Sequence, residues 1–184
     1  MAILKVARMG HPVVRAKARP VERADFKSAA FQKFVDDLIE TMREYHGVGL
    51  AAPQVHEGLR VFVAAIDDTP EESRQADQDN APDPEPVAII NPEIIVVGSE
   101  VVEDWEGCLS IPDIRGRVPR AREIIVRAMD RHGHRLELHA HDFTARVIQH
   151  ETDHLDGVLF FDRMTSFETL TFLDEYSRYW RADD

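Results

Sequence analysis

The chain has a single cysteine, Cys108, in 184 residues, so no disulfide can close within it. No apolar run approaches the roughly twenty residues that cross a bilayer. The opening stretch Met1-Ala2-Ile3-Leu4-Lys5-Val6-Ala7-Arg8 lacks the long apolar centre of a secretion signal. Basic residues are in deficit. Against 34 Asp and Glu there are 22 Lys and Arg, a formal charge of −12, which opposes nonspecific attachment to nucleic acid or anionic membrane. A lone thiol in an unexported chain suits a reducing cytoplasm, the expected location. What is present is ordinary globular usage, 43% hydrophobic and 30% charged, at a length that predicts one domain over residues 1–184.

The coarse order of elements is α+β. Residues 28–46 place Phe31, Phe34, Val35, Leu38, Ile39 and Met42 at helical spacing, a stripe whose business is packing. Gly47 is placed to end that helix in the left-handed conformation. Residues 60–66 predict a buried strand. Residues 68–86 are dense in Asp, Glu and Pro and poor in apolar side chains, which predicts an acidic surface loop. Strand signals resume over 87–97, with Asn91-Pro92 expected to interrupt them, and Pro112 is expected to end any regular strand near Cys108. Residues 124–130 and 135–139 flank Arg131-His132-Gly133-His134, a predicted hairpin turn. A helix is predicted from Asp142 or Phe143 to Leu155, with Asp142 as its cap. A last helix over 166–179 is expected to pack Phe167, Leu170, Phe172 and Leu173 partly against the body. His139 and His141 are read as surface residues.

Residues 150–154 read His-Glu-Thr-Asp-His. On a helix, histidines four apart project from one face and can grip one metal ion, with the intervening glutamate beside it as a general base. A hydrolytic site needs a third protein ligand and an open position. The metzincin pattern would place a third histidine at position 160, but Phe160 cannot ligate. A thermolysin-like site would use a later carboxylate, Asp174 or Glu175. Cys108 is the other choice, since a thiolate binds zinc or ferrous iron well. Gly107 allows close approach there, and Glu106 and Ser110 make the segment polar rather than core-like. Spacing alone does not choose between thiolate and carboxylate. Upstream, Gly47-Val48-Gly49-Leu50-Ala51-Ala52 satisfies a loose dinucleotide fingerprint. A helix precedes it, however, and Pro53 breaks the helix that should come after it, so nucleotide binding is rejected. Gln54 then has a carboxamide to aim at a reacting oxygen.

Gly47-Val48-Gly49-Leu50-Ala51-Ala52-Pro53-Gln54, Glu106-Gly107-Cys108-Leu109-Ser110 and His150-Glu151-Thr152-Asp153-His154 together resemble, in order, the three signature segments of the peptide deformylase family. The resemblance runs from the Val6 to Pro12 region to about residue 165. It implies mixed and antiparallel β-sheets around a central helix carrying the HExxH motif, with a long N-terminal helix and a C-terminal helix. It implies Cys108, His150 and His154 as ligands of one Fe2+, a site that Zn2+, Ni2+ or Co2+ can also occupy. Glu151 would be the base, with Gln54 and the Leu109 backbone N–H donating to the carbonyl oxygen. The reaction implied is removal of the N-formyl group from the formyl-methionine that begins a new polypeptide, releasing formate. That peptide would pair as an added strand near Val48-Gly49 and Gly107, with methionine against Val48, Phe143 and Val147 and Arg146 at the rim. Asp153 and Glu106 are expected to pair with Arg120. If Asp153 instead faces solvent, Asp153→Asn would be nearly neutral. Some family members dock on the ribosome through a basic C-terminal helix. Residues 166–184 instead mix Glu168, Asp174, Glu175, Asp183 and Asp184 with Arg178 and Arg181, which does not reproduce that basic face.

Overall fold

The computed structural model describes residues 2–66 and 84–181. Most of the acidic stretch expected as a surface loop lies outside the described residues. A 3-10 turn, Pro12–Arg15, leads to a short helix α1 (Arg23–Phe26) and the long helix α2 (Ala29–Glu44). The predicted stripe forms its inner face, with Phe31, Val35, Leu38 and Met42 buried and Phe34 and Ile39 packed beside them. The helix stops differently from the expectation. His46, with φ of 52°, takes the left-handed conformation, and the Gly47 N–H bonds back to the Met42 carbonyl at 2.9 Å. Gly47 answers to space instead, because a Cβ there would stand 3.0 Å from Leu109 Cδ1.

Strands β1 (Gly49–Ala51), β2 (Val61–Ala64), β3 (Val87–Cys108), β4 (Ile111–Met129) and β5 (Arg135–His141) lie side by side in chain order, every pair antiparallel. Parallel pairing among the described residues is confined to the bridge Arg19–Leu59. Helix α3 (Asp142–Leu155) packs on one face of this sheet and α2 on the other. Alternation along β2 serves both: Phe62 and Ala64 join the α3 core, while Val61 and Val63 join the α2 core. A strand buried on both faces reads as an unbroken apolar run, which is why residues 60–66 stood out in the sequence. Each fully buried large side chain contributes roughly 1.5–3 kcal/mol by leaving water.

Two prolines mislead. Asn91-Pro92 does not end the strand. Asn91, with φ of 52°, sits at a register shift between Ile90 and Glu93, where its amide bonds the Val21 N–H and carbonyl at 2.9 Å each. The side chain ties the bulge down, and β3 continues. Nor does Pro112 stop β4. The register jumps from Gly107 opposite Arg115 to Cys108 opposite Ile111, so Pro112 falls in a bulge. The 131–134 turn forms as predicted, with Gly133 at φ of 80° and Asp130 accepting from the His132 and His134 N–H groups. His139 and His141 are exposed.

Asp142 opens α3 from inside its first turn, after His141 as cap residue, and its carboxylate is bonded by Arg122. The C-terminal helix α4 (Leu173–Tyr179) is shorter than predicted. Residues ahead of it form β6 (Thr171–Phe172), which pairs with Ile114–Arg115 of β4. Thr169 accepts the Arg117 N–H. Edge pairing therefore takes residues that helical spacing assigned to α4, and Phe167 and Phe172 are left exposed rather than packed on the body. The helix docks instead through Tyr176, with Trp180 just beyond it, against Trp105 at ring separations of 4.9 and 5.7 Å. No helix among the described residues is long and apolar enough to cross a membrane.

Candidate metal centre and active site

Helix α3 presents two adjoining stripes at spacings of four. Arg146, His150 and His154 form one; Phe143, Val147 and Glu151 form the other. The first meets Cys108 at the end of β3. Cys108 Sγ lies 3.2 Å from His154 Nε2, which lies 3.2 Å from His150 Nε2. The three donor atoms fall within 4.8 Å of one another, the single such convergence of metal-ligating groups among the described residues. Cys108 is also buried, as are Glu106 and Ser110, so this segment is core and not the polar stretch expected. Its polar atoms are buried because each has a partner from another segment, Glu106 with Arg120, Arg146 and His150, Cys108 with His154, and Ser110 with Gln54.

Asp174 and Glu175 take no part. Asp174 is exposed and caps the Glu175 N–H, while Glu175 pairs with Arg178 at 3.3 Å. The thermolysin-like arrangement is thereby removed. The glycine fingerprint is removed as well, since β1 runs into a 3-10 turn, Ala52–Val55, and not into the helix a dinucleotide site requires.

The donor set fits a divalent cation. Tetrahedral zinc bound at about 2.0–2.1 Å by nitrogen would hold its nitrogens roughly 3.3 Å apart, close to the imidazole separation here. His150 Nδ1 faces Glu106 Oε2 at 2.8 Å, which leaves Nε2 pointing at the other donors. Burial opposes charge on Cys108, but the His154 and His150 imidazoles outweigh it and hold the thiol well below its ordinary range. Burial likewise opposes a charged His150, and the Cys108 sulfur and Glu106 raise it well above the imidazole range. Both shifts favour charge on the sulfur and on the ring, and a cation bound there would compete with the ring proton.

Around this centre the carboxylate of Glu106 is fully subscribed. Arg120 Nε and Nη2 bond its two oxygens at 2.9 and 3.0 Å, and Arg146 Nη1 adds a contact of 2.9 Å. Burial works against ionisation of Glu106, but His150 and Arg120 prevail and hold its pKa at about 2. The expected pairing of Arg120 with Glu106 and Asp153 is present; Asp153 Oδ2 accepts from Arg120 Nη1 at 2.6 Å. Asp153 is buried and does not face solvent. Arg146 is not at a pocket rim. Its guanidinium is buried and also bonds the Val118 and Val102 carbonyls at 2.7 Å each. Arg163, which also holds Asp153, carried no sequence signal, lying ten residues downstream beyond any helical spacing.

Gln54 is almost wholly buried. Its Oε1 accepts the Ala51 N–H at 2.8 Å, which turns Nε2 toward Cys108 Sγ at 3.5 Å and Ser110 Oγ at 3.3 Å. Leu109 comes directly after Cys108 in the turn to β4. Glu151 is buried, and its Oε2, like Nδ1 of His154, has no hydrogen-bond partner among the described residues. Gly49 exists for this carboxylate: a Cβ there would stand 2.7 Å from Glu151 Cδ, inside contact distance. Gly49→Ala should therefore displace the Glu151 carboxylate, leaving metal content normal and lowering turnover by about 10²-fold. Metal analysis beside an activity assay reads both.

The remaining residues expected to meet substrate lie on or beside β1, β3 and α3. Gly49 lies in β1, whose outer edge has no strand beside it among the described residues, and Val48 is exposed just before it. Gly107 lies in β3 next to Cys108, where the Arg115 guanidinium fills the space its side chain would need. Phe143 is 60% exposed one turn ahead of the buried Val147.

The family model for polypeptide deformylase matches residues 3–169. Peptide deformylase 2 of a Nostoc species is 45% identical over 164 residues, 89% of this chain and 87% of its own length. The peptide deformylase of Dictyoglomus turgidum is 40% identical over 168 residues, 91% of this chain and 97% of its own. A crystal structure of class I type b peptide deformylase from Acinetobacter baumannii, bound to Met-Ala-Ser, superposes with a TM-score of 0.77 and 38% identity, covering 89% of this chain and 99% of that one. A match spanning all three motifs, joined to a thiolate and two imidazoles converging beside a buried glutamate, places this chain in the peptide deformylase family.

Proposed function

We propose that Glu151 is the base, and Gln54 with the Leu109 N–H the oxyanion donors, in the reaction by which this hydrolase removes the N-formyl group from new polypeptides. The observation that carries this reading is the convergence of Cys108, His150 and His154 with Glu151 and Gln54 beside them. Cys108, His150 and His154 would hold the ion, which when bound polarises the formyl carbonyl and makes water acidic enough to ionise near neutral pH. Glu151 takes the proton from that water as its oxygen attacks the formyl carbon. Gln54 Nε2 and the Leu109 N–H donate to the carbonyl oxygen as negative charge gathers on it. Removing one such donor costs about 3–4 kcal/mol of transition-state stabilisation. Glu151 then returns the proton to the departing nitrogen as the C–N bond breaks. The products are formate and a peptide with a free amino terminus.

The substrate is the formyl-methionine end of a nascent chain, lying extended along the open edge at Val48-Gly49 and beside Gly107, with methionine toward Val48, Phe143 and Val147. The Met-Ala-Ser ligand of the Acinetobacter baumannii relative supports a methionine-first peptide. Ferrous iron is the working ion, on family grounds, and a thiolate with two imidazoles also suits zinc, nickel or cobalt. The reaction belongs in the cytoplasm, where new chains emerge. Ribosome docking gains no support from α4, whose Asp174 and Glu175 stand beside Arg178. The test is formate release from a formyl-methionyl peptide by metal-loaded protein. Stoichiometric formate with an intact peptide backbone is expected; internal cleavage without formate would overturn the reading.

A further inference from the structure

We propose that Arg163 is a positioning residue for the metal site, fixing the ring of His150 through Asp153, Arg120 and Glu106. The inference rests on His150 being a metal ligand. Arg163 forks onto Asp153, with Nη2 at 2.7 Å from Oδ1 and Nε at 3.1 Å from Oδ2. Asp153 Oδ1 has no other partner among the described hydrogen bonds, so without Arg163 half of a buried carboxylate would go unbonded. Oδ2 is shared with Arg120 Nη1 at 2.6 Å, and that contact sets the plane of the Arg120 fork. The same fork grips both oxygens of Glu106, whose Oε2 meets His150 Nδ1. Each link is charged and directional, so a rotation at one end is felt at the other.

Two features single out Arg163. Its side chain is 51% exposed, whereas those of Asp153, Arg120, Arg146 and Glu106 are nearly all buried. It is the place where the network reaches water. Its own base is also anchored: it comes just after the 3-10 turn Phe160–Asp162, where Phe160 is buried, Asp162 accepts the Leu159 N–H at 2.7 Å, and Asp162 pairs with Arg15. A tethered stem and a bidentate head hold Asp153 in one orientation.

The experiment uses the zinc-loaded enzyme. Zinc release to a chelator is timed, and the His150 Nδ1 proton is followed by NMR. Arg163→Gln should release zinc about tenfold faster, as loss of an outer partner of a metal ligand does, and should shift the Nδ1 proton. Adding it to Asp153→Asn should accelerate release no further, because its effect runs through that carboxylate. Arg60→Gln is the control for stability alone. It breaks a 2.7 Å pair with Asp156, the C-cap residue of α3, whose carboxylate is not part of the network, and should move neither readout. Unchanged release and resonance in Arg163→Gln, equal changes in Arg60→Gln, or additive acceleration in the double variant would overturn the proposal. If the wild-type chain fails to bind one zinc, the ligand assignment falls first and this inference with it.

Discussion

Glu151→Gln should keep its metal ion and lose turnover by at least the ~10²–10⁴-fold that general acid–base catalysis supplies. The substitution preserves shape, so Cys108, His150 and His154 stay as they are. What it removes is the proton acceptor. Burial, opposed by His150 and His154, lifts the Glu151 carboxyl to about 7 in the metal-free protein. A group with that pKa is a far better base near neutrality than an ordinary carboxylate, yet it still works only when ionised. Activity should therefore rise with pH through the Glu151 pKa and level off above it. A bound dication favours the carboxylate, so the midpoint should lie at or below pH 7. The residual rate of Glu151→Gln should lack that rise. Metal analysis paired with a formate assay across pH checks all of this, and near-normal turnover in the variant would remove Glu151 from the role.

Cys108→Ala should cost the ion and the activity together, by more than the ~10–100-fold typical for loss of an outer partner. Asp174→Ala and Glu175→Ala should do neither, because both belong to α4, away from the ligands. The thiolate brings a second vulnerability. Oxidation of Cys108 consumes the lone pair that would hold the ion. Activity should decay in air faster for the iron form than for the zinc form, with Cys108 oxidation visible by mass spectrometry. Equal decay with an unmodified Cys108 would contradict the oxidation route, and full metal occupancy in Cys108→Ala would contradict the ligand assignment itself.

Much of this site was legible because its parts obey short-range rules. Histidines four apart on a helix, a glutamate between them and an apolar stripe on α2 stem from helical geometry alone. The choice of Cys108 over a carboxylate does not. It depends on where β3 ends beneath α3, a long-range fact that only the family resemblance supplied. The misreadings share a cause. At Asn91 and Pro112 a bulge absorbed what the sequence suggested was a stop. At His46 the left-handed turn came one residue before the glycine, because Gly47 was needed for closeness to Leu109. Residues ahead of α4 had helical spacing but were claimed by the edge of β4. Arg163 was invisible, since a turn of irregular backbone separates it from Asp153.

The residues that would hold the ion come from two parts of the chain that close loops of very different length. Strands β3 and β4 are consecutive and joined by a tight turn at Leu109 and Ser110, so the hairpin ending in Cys108 closes a short loop at small entropic cost. The two histidines lie on α3, which begins more than thirty residues further along the chain, so bringing them to Cys108 closes a much longer loop. An ion gripped by all three therefore binds the finished domain and not the hairpin alone. By mass action it would stabilise the folded state by about 4 kcal/mol at a thousandfold excess over its dissociation constant. Stripping the ion from this enzyme should thus lower its melting temperature as well as silence it, and the two losses should track one chelator titration.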